Sequence, residues 1–196
     1  MTGFLGTPYL CYALSQNGYL DVAYELLLRE EYPSWLFPVK QGATTIWERW
    51  DGIKPDGSFQ TPSMNSFNHY AYGAIGEWMV RFIAGLDVDP AYPGFKRAIV
   101  APKLGGGFTS ARASFESING VYAVDWKLAD GVMQMAVTAP ANGGAVVQLP
   151  GAILAQVTEG GRPLAAIPEI QDAHQTEDGV HLTVGSGYYT FAYPRN

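Results

Sequence analysis

The sequence predicts an α+β, multi-domain chain: a helical region over residues 1–97 followed by an antiparallel β-sandwich over residues 98–196. Three observations carry this. Apolar residues recur at helical spacing in the first half and alternate in short runs in the second. Residues 1–97 hold four Trp, eight Tyr and six Phe, 18 of the 26 aromatics. Two-residue turn signals of the hairpin-favouring kind, Asn119-Gly120 and Asp130-Gly131, join successive runs of the second half.

The first helix is expected to start at Thr7-Pro8, a hydroxyl cap followed by a proline whose fixed φ suits the opening turn. Leu10, Ala13 and Leu14 follow at helical spacing, and Asn17-Gly18 ends the helix. A second helix runs from about Asp21, with Val22, Ala23, Leu26 and Leu27 on one face, and stops before Tyr32-Pro33. A third is predicted from Ser66 to Gly85, where Phe67, Tyr70, Ala71, Ala74, Ile75, Trp78, Phe82 and Ile83 keep the i, i+3, i+4 spacing. Between the second and third helices, Pro33, Pro38, Gly42, Gly52, Pro55, Gly57 and Pro62 interrupt regular structure. So long a connection is functional or disordered, and Trp35, Phe37, Trp47, Trp50 and Phe59 within it argue for function.

Short β-rich runs follow: Ala98–Ala101, Phe108–Ile118, Val121–Leu128, Val132–Thr138, Ala145–Leu149, Val180–Val184 and Tyr188–Tyr193. Their roughly ten-residue spacing suits a sandwich. Trp126, Tyr188, Tyr189 and Tyr193 read as packing residues of that sandwich. Three helices make a thin core, so their apolar faces are expected to be covered by further barrel helices or by self-association.

Composition excludes several classes. With 47% apolar and 15% charged residues, the chain can bury a core. Twelve basic against 18 acidic residues give a net charge of −6 without a basic block, so no nucleic-acid partner is expected. No apolar run is long enough for a membrane span. No secretory leader is visible, and a cytoplasmic location is the expectation. The lone Cys11 excludes an internal disulfide or a thiolate zinc site, and the three histidines lack ligand spacing, so no metal site is expected.

The densest cluster of reactive side chains is Thr44-Thr45-Ile46-Trp47-Glu48-Arg49-Trp50-Asp51. A carboxylate between indoles can be desolvated towards acid/base use, and tryptophan faces pack on the C–H faces of sugars. The same pattern also fits two core tryptophans with Glu48 paired to an arginine. His69, in Asn65-Ser66-Phe67-Asn68-His69-Tyr70, could donate to a ligand hydroxyl or merely fill a helix junction. Asp51 and Glu77 are the local carboxylates that could accompany Glu48. Gly105-Gly106-Gly107 lacks the lysine of a phosphate loop and leads into a strand. A non-catalytic carbohydrate-binding or scaffold module is the alternative reading.

Four motifs, in order, resemble the bacterial α-L-rhamnosidases of glycoside hydrolase family 78. They are Thr2-Gly3-Phe4-Leu5-Gly6-Thr7, Tyr32-Pro33-Ser34-Trp35-Leu36, Gly42-Ala43-Thr44-Thr45-Ile46-Trp47-Glu48-Arg49-Trp50, and Ser66-Phe67-Asn68-His69-Tyr70-Ala71-Tyr72-Gly73 with Gly76-Glu77-Trp78. The resemblance implies that residues 1–97 are the C-terminal helices of an (α/α)6-barrel catalytic domain and residues 98–196 a C-terminal β-sandwich. It implies inverting hydrolysis of terminal α-L-rhamnosides, with a rhamnose-containing glycoside as partner and no cofactor. Glu48 matches the general base and His69 a residue that contacts rhamnose; Trp47 and Trp50 flank the base and are given a pocket-lining role. An inverting site keeps its two carboxyls roughly 6.5–9.5 Å apart, so that water fits between base and sugar. The family's general acid lies upstream of the matched region. The chain is therefore expected to be the C-terminal portion of a rhamnosidase, inactive by itself.

Overall fold

A computed structural model of the chain describes residues 3–195; Thr2, which opens the first motif, lies outside them. By their internal contacts the residues form two compact units, Met1–Trp78 and Met79–Asn196.

In the first unit, α1 (Gly3–Gln16) and α2 (Leu20–Leu28) form a hairpin. Helix α1 begins four residues before the expected Thr7-Pro8 start. The Thr7 hydroxyl, expected to cap, instead donates back to the Gly3 carbonyl (2.7 Å). Pro8 therefore lies in the second turn, where it has no N–H to offer the preceding turn. The Tyr19 N–H returns to the Leu14 carbonyl (2.9 Å) and closes the last turn of α1. Burial of Cys11 between the helices pushes its thiol up to about 11, which suits an inert core residue. A short helix, α3 (Leu36–Lys40), follows.

The predicted helix from Ser66 does not begin there. Winding starts with a 3₁₀ turn at Ala71–Ala74 and continues as α4 (Ile75–Trp78). The reason lies in the backbone. The His69 N–H donates to the Ile46 carbonyl (2.8 Å), and the Glu48 N–H donates to the Ser66 carbonyl (2.8 Å). Residues 66–69 are thus paired across to residues 46–48 and do not wind. Trp78 is fully buried, edge-on to Tyr24 (5.3 Å), and donates from its indole to the Ser15 hydroxyl (3.0 Å). Apolar side chains remain exposed on the hairpin, among them Leu5 (87%) and Tyr9 (71%).

The second unit opens with a π-helical turn, Met79–Ala84. Gly85, with φ +85°, ends it. A Cβ at Gly85 would lie 2.2 Å from the Pro102 nitrogen, so only glycine fits. One sheet contains β1 (Leu86–Val88), β2 (Ala98–Val100), β6 (Ala145–Pro150), β10 (Gly179–Val184) and β9 (Gln171–Thr176), in the order β1-β2-β6-β10-β9. The other contains β3 (Ser110–Ser117), β4 (Gly120–Ala129), β5 (Val132–Ala139), β11 (Gly187–Pro194), β7 (Thr158–Glu159) and β8 (Arg162–Pro163), in the order β3-β4-β5-β11-β7-β8. The pairings are antiparallel except β2 with β6, which runs parallel. Those two strands are separated in sequence by β3–β5, so a crossover rather than a hairpin joins them.

Asp130-Gly131 forms the predicted turn, both residues at positive φ. The other turn is one residue earlier than expected: Ser117 pairs with Gly120, leaving Ile118 and Asn119 as the loop. Alternation buries Tyr122, Val124 and Trp126 on β4. Trp126 is fully buried and its indole N–H donates to the Ile83 carbonyl (2.9 Å). Tyr193 is also buried, and its hydroxyl donates to the Pro150 carbonyl at the end of β6. Tyr188, expected in the packing, is exposed, because its position on β11 faces away from the buried row of Phe191 and Tyr193. No described helix is long and apolar enough to cross a membrane.

Beyond β1, the buried Asp89 carboxylate accepts the Ala91 N–H (2.9 Å) and the Arg97 Nε–H (2.6 Å). The Ala91 amide holds this carboxyl below the usual range; burial opposes that shift and Arg97 adds to it. The folded chain therefore keeps Asp89 ionised at a pH where the unfolded chain has already bound a proton. Its stabilisation is present above the unfolded value of about 4 and is lost as pH falls below it. The difference in Tm between this chain and Asp89→Asn should be full at neutral pH and close on acidification below about 4. A gap that persists unchanged in acid would show that the charge is not what stabilises.

Candidate active site

Residues 43–70 are held by specific ties and little regular structure. The crossed pairs at 46/69 and 48/66 bring two distant segments together, and the Thr45 hydroxyl adds a bond to the Phe67 carbonyl. Between them a small turn closes where the Lys54 N–H donates to the Ser58 carbonyl (2.9 Å), with Asp56-Gly57 at its tip. Gly52 lies where a Cβ would meet Phe67 at 3.0 Å and Trp47 at 3.2 Å, so the chain passes close beneath those rings and a side chain there would press on them.

This arrangement fixes Glu48. Its N–H and carboxylate both engage Ser66: the Ser66 N–H donates to Oε2 (2.8 Å) while the Ser66 carbonyl accepts from the Glu48 N–H. Glu48 is half-buried and lines a cleft of about 620 Å³, a volume suited to a small ligand. Arg49 and Asp51 line the same cleft, with Phe4 and Leu10 of α1 and the aromatics Tyr32, Trp35, Trp50 and Tyr72. Trp50 lies flat on Tyr72 (3.7 Å between centroids, 8° between planes). Trp35 meets Trp50 edge-on (5.4 Å) and donates from its indole to the Tyr72 carbonyl (2.9 Å). Burial raises the Tyr72 hydroxyl above its ordinary value, with Tyr32 nearby adding to the shift.

The sequence-predicted residues divide. Glu48 and Trp50 are on the cleft. Trp47 is buried, edge-on to Phe67 (5.2 Å), and lines a separate recess of about 50 Å³. His69 is half-buried beside Phe4 (4.8 Å) and Tyr70 (5.2 Å), and is joined to the cleft through Phe4. Its Nδ1 accepts the Ala71 N–H (3.3 Å), so the neutral ring carries its proton on Nε2. Asp51 is on the cleft, whereas Glu77 is exposed on α4.

Sequence reasoning did not single out Trp35, Tyr72 and Arg49 as parts of one wall. The signal available was the aromatic content of the long connection, which marks the region but not the facing of each ring. Arg49 also leaves Nε buried without a hydrogen-bond partner among the described residues.

Comparisons with known proteins bear on both units. A family model described as the bacterial alpha-L-rhamnosidase 6 hairpin glycosidase domain matches residues 1–83. Another, the bacterial alpha-L-rhamnosidase C-terminal domain, matches residues 85–162. An alpha-L-rhamnosidase of Streptomyces avermitilis is 44% identical over 196 residues, covering 97% of this chain and 18% of that protein. The crystal structure of a Streptomyces avermitilis alpha-L-rhamnosidase complexed with L-rhamnose superimposes with a TM-score of 0.86 at 41% identity, over 97% of this chain and 18% of that one. The alpha-L-rhamnosidase structure from Dictyoglumus thermophilum gives 0.84 at 30% identity, over 98% and 21%. The chain thus spans about a fifth of the length of these relatives, in their C-terminal part. With both family models matched in order, the chain belongs to the bacterial alpha-L-rhamnosidase family, the six-hairpin glycosidase match ending at residue 83 and the C-terminal domain match beginning at residue 85.

Proposed function

We propose that this chain carries the general base and one wall of the sugar pocket of an inverting α-L-rhamnosidase, and that the general acid is supplied by barrel residues upstream of those matched here. The observation that carries this reading is the seating of Glu48. One carboxylate oxygen is fixed by the Ser66 N–H in a cleft of sugar-sized volume, which orients the group and leaves the other oxygen for water. Trp50, braced by Tyr72 and Trp35, offers the apolar face against which the C–H side of a sugar ring packs. His69, with its proton on Nε2, is a donor for a rhamnose hydroxyl. Trp47 supports the Glu48 segment from behind, through Phe67.

The rhamnose-bound Streptomyces avermitilis relative supports a rhamnoside substrate. The exposed apolar residues of the hairpin, Leu5 and Tyr9 among them, are where we place the remaining barrel helices.

The test is hydrolysis of a chromogenic aryl α-L-rhamnoside. The chain alone should be inactive, and joining it to the upstream region of the Streptomyces avermitilis relative should produce turnover. Turnover by the chain alone, lost in Asp51→Asn, would place the acid on this cleft and overturn the divided site.

A further inference from the structure

The bonds around Glu48 form a closed circuit with one side chain outside the pocket wall. The Asn65 Nδ2 donates to the Gly52 carbonyl (3.0 Å), and the Gly52 N–H donates to the Arg49 carbonyl (3.2 Å). Arg49 follows Glu48, whose N–H and carboxylate both meet Ser66, the residue after Asn65. The Gly52 carbonyl is itself held in place: it also accepts the Gln60 N–H (3.1 Å), and Gly52 is packed closely beneath Phe67 and Trp47. The peptide between Asn65 and Ser66 is the one whose N–H grips the carboxylate, so whatever fixes Asn65 fixes the direction of that grip. The Asn65 Oδ1 is buried and has no partner among the described residues. An unmet buried acceptor is disfavoured, and a residue kept only to fill space would not need one.

We propose that Asn65 is a positioning residue for Glu48: by anchoring its side-chain amide on the Gly52 carbonyl, it aims the Ser66 N–H at the Glu48 carboxylate. The role rests on the reading of Glu48 as the base, and it acts without Asn65 touching substrate. Bracing of this kind sets the orientation of a catalytic group within narrow limits.

The experiment follows amide signals of the isotope-labelled chain during a pH titration. In the unsubstituted chain the Ser66 amide and the Asn65 side-chain amide signals should move as Glu48 ionises, and neither should move in Glu48→Gln. Arg29, Tyr32, Arg49, Asp51 and Tyr72 on the cleft and His69 beside it are the charged or titratable neighbours; the Glu48→Gln control retains them, so the movement it lacks is the contribution of Glu48. In Asn65→Leu the pH response of the Ser66 amide should fall by at least half while the rest of the spectrum is retained. Asn65→Ala, which loses the donor and adds no titrating group, should do the same. A full Ser66 response in either folded variant overturns the proposal. Should neither variant fold, Asn65 side-chain signals indifferent to Glu48 in the unsubstituted chain overturn it, and signals that follow Glu48 support it. Hydrolysis tests whether Glu48 is the base and these signals test whether Asn65 aims it, so either reading can fail without the other.

Discussion

Glu48→Gln, made in the chain joined to the upstream barrel of a relative, should lower kcat for an aryl α-L-rhamnoside by about 10²–10⁴-fold. The amide keeps the size of the carboxylate and can still accept the Ser66 N–H through its oxygen, so the segment should stay in place. What changes is the other arm. An oxygen that would take a proton from water becomes an NH₂ group that can only donate. KM should change little, since the proposed sugar contacts at Trp50 and His69 are untouched. A variant that loses affinity but keeps kcat would make Glu48 a binding residue and refute its role as base.

Trp126→Ala should destabilise the second unit by about 3–5 kcal/mol, the usual cost of emptying a large aromatic site. Trp126 is fully buried on β4, and its indole N–H satisfies the Ile83 carbonyl. The substitution therefore opens a cavity and also strands an acceptor that water reaches poorly. Trp126→Phe should recover part of the packing and none of that hydrogen bond. Urea denaturation at constant m-value reads both effects from the shift of the midpoint. A Trp126→Ala midpoint close to the unsubstituted one would mean that the site collapses or fills with water.

What could be read from the sequence follows what has a period. Helices α1 and α2 and strands β4, β5, β6, β10 and β11 alternate or repeat strongly enough to be found. Strands β7 and β8 are two residues each, and β9 reads Gln-Asp-Ala-His-Gln-Thr, a polar edge with no apolar alternation to announce it. Strand β1 has only three residues and overlaps the acidic and proline-containing Asp87-Val88-Asp89-Pro90, which carries no alternation. The third helix looked longer than it is because Phe67 and Tyr70 fall at helical spacing although residues 66–69 are paired to residues 46–48. That pairing is non-local and leaves no periodic trace. The cleft was legible as a region, through its aromatics and the Trp47-Glu48-Arg49-Trp50 run, but not as a surface. Trp47 and Trp50 are three residues apart, yet one is buried against Phe67 and the other faces the cleft. Only the turn ending at Gly52 separates their directions, and a turn is not written in hydrophobic spacing.

The distribution of tryptophan gives the molecule a built-in optical record. Trp126 is the only one of the five tryptophans after residue 78; the other four lie in the first unit, with Trp78 as buried there as Trp126 is in the second. Tryptophan emission from the Trp126→Phe variant, excited beyond the absorption of tyrosine, therefore comes wholly from the first unit, and its change with denaturant follows that unit alone. Comparison with far-ultraviolet circular dichroism, to which the strands of the second unit also contribute, then distinguishes one cooperative melting event from two.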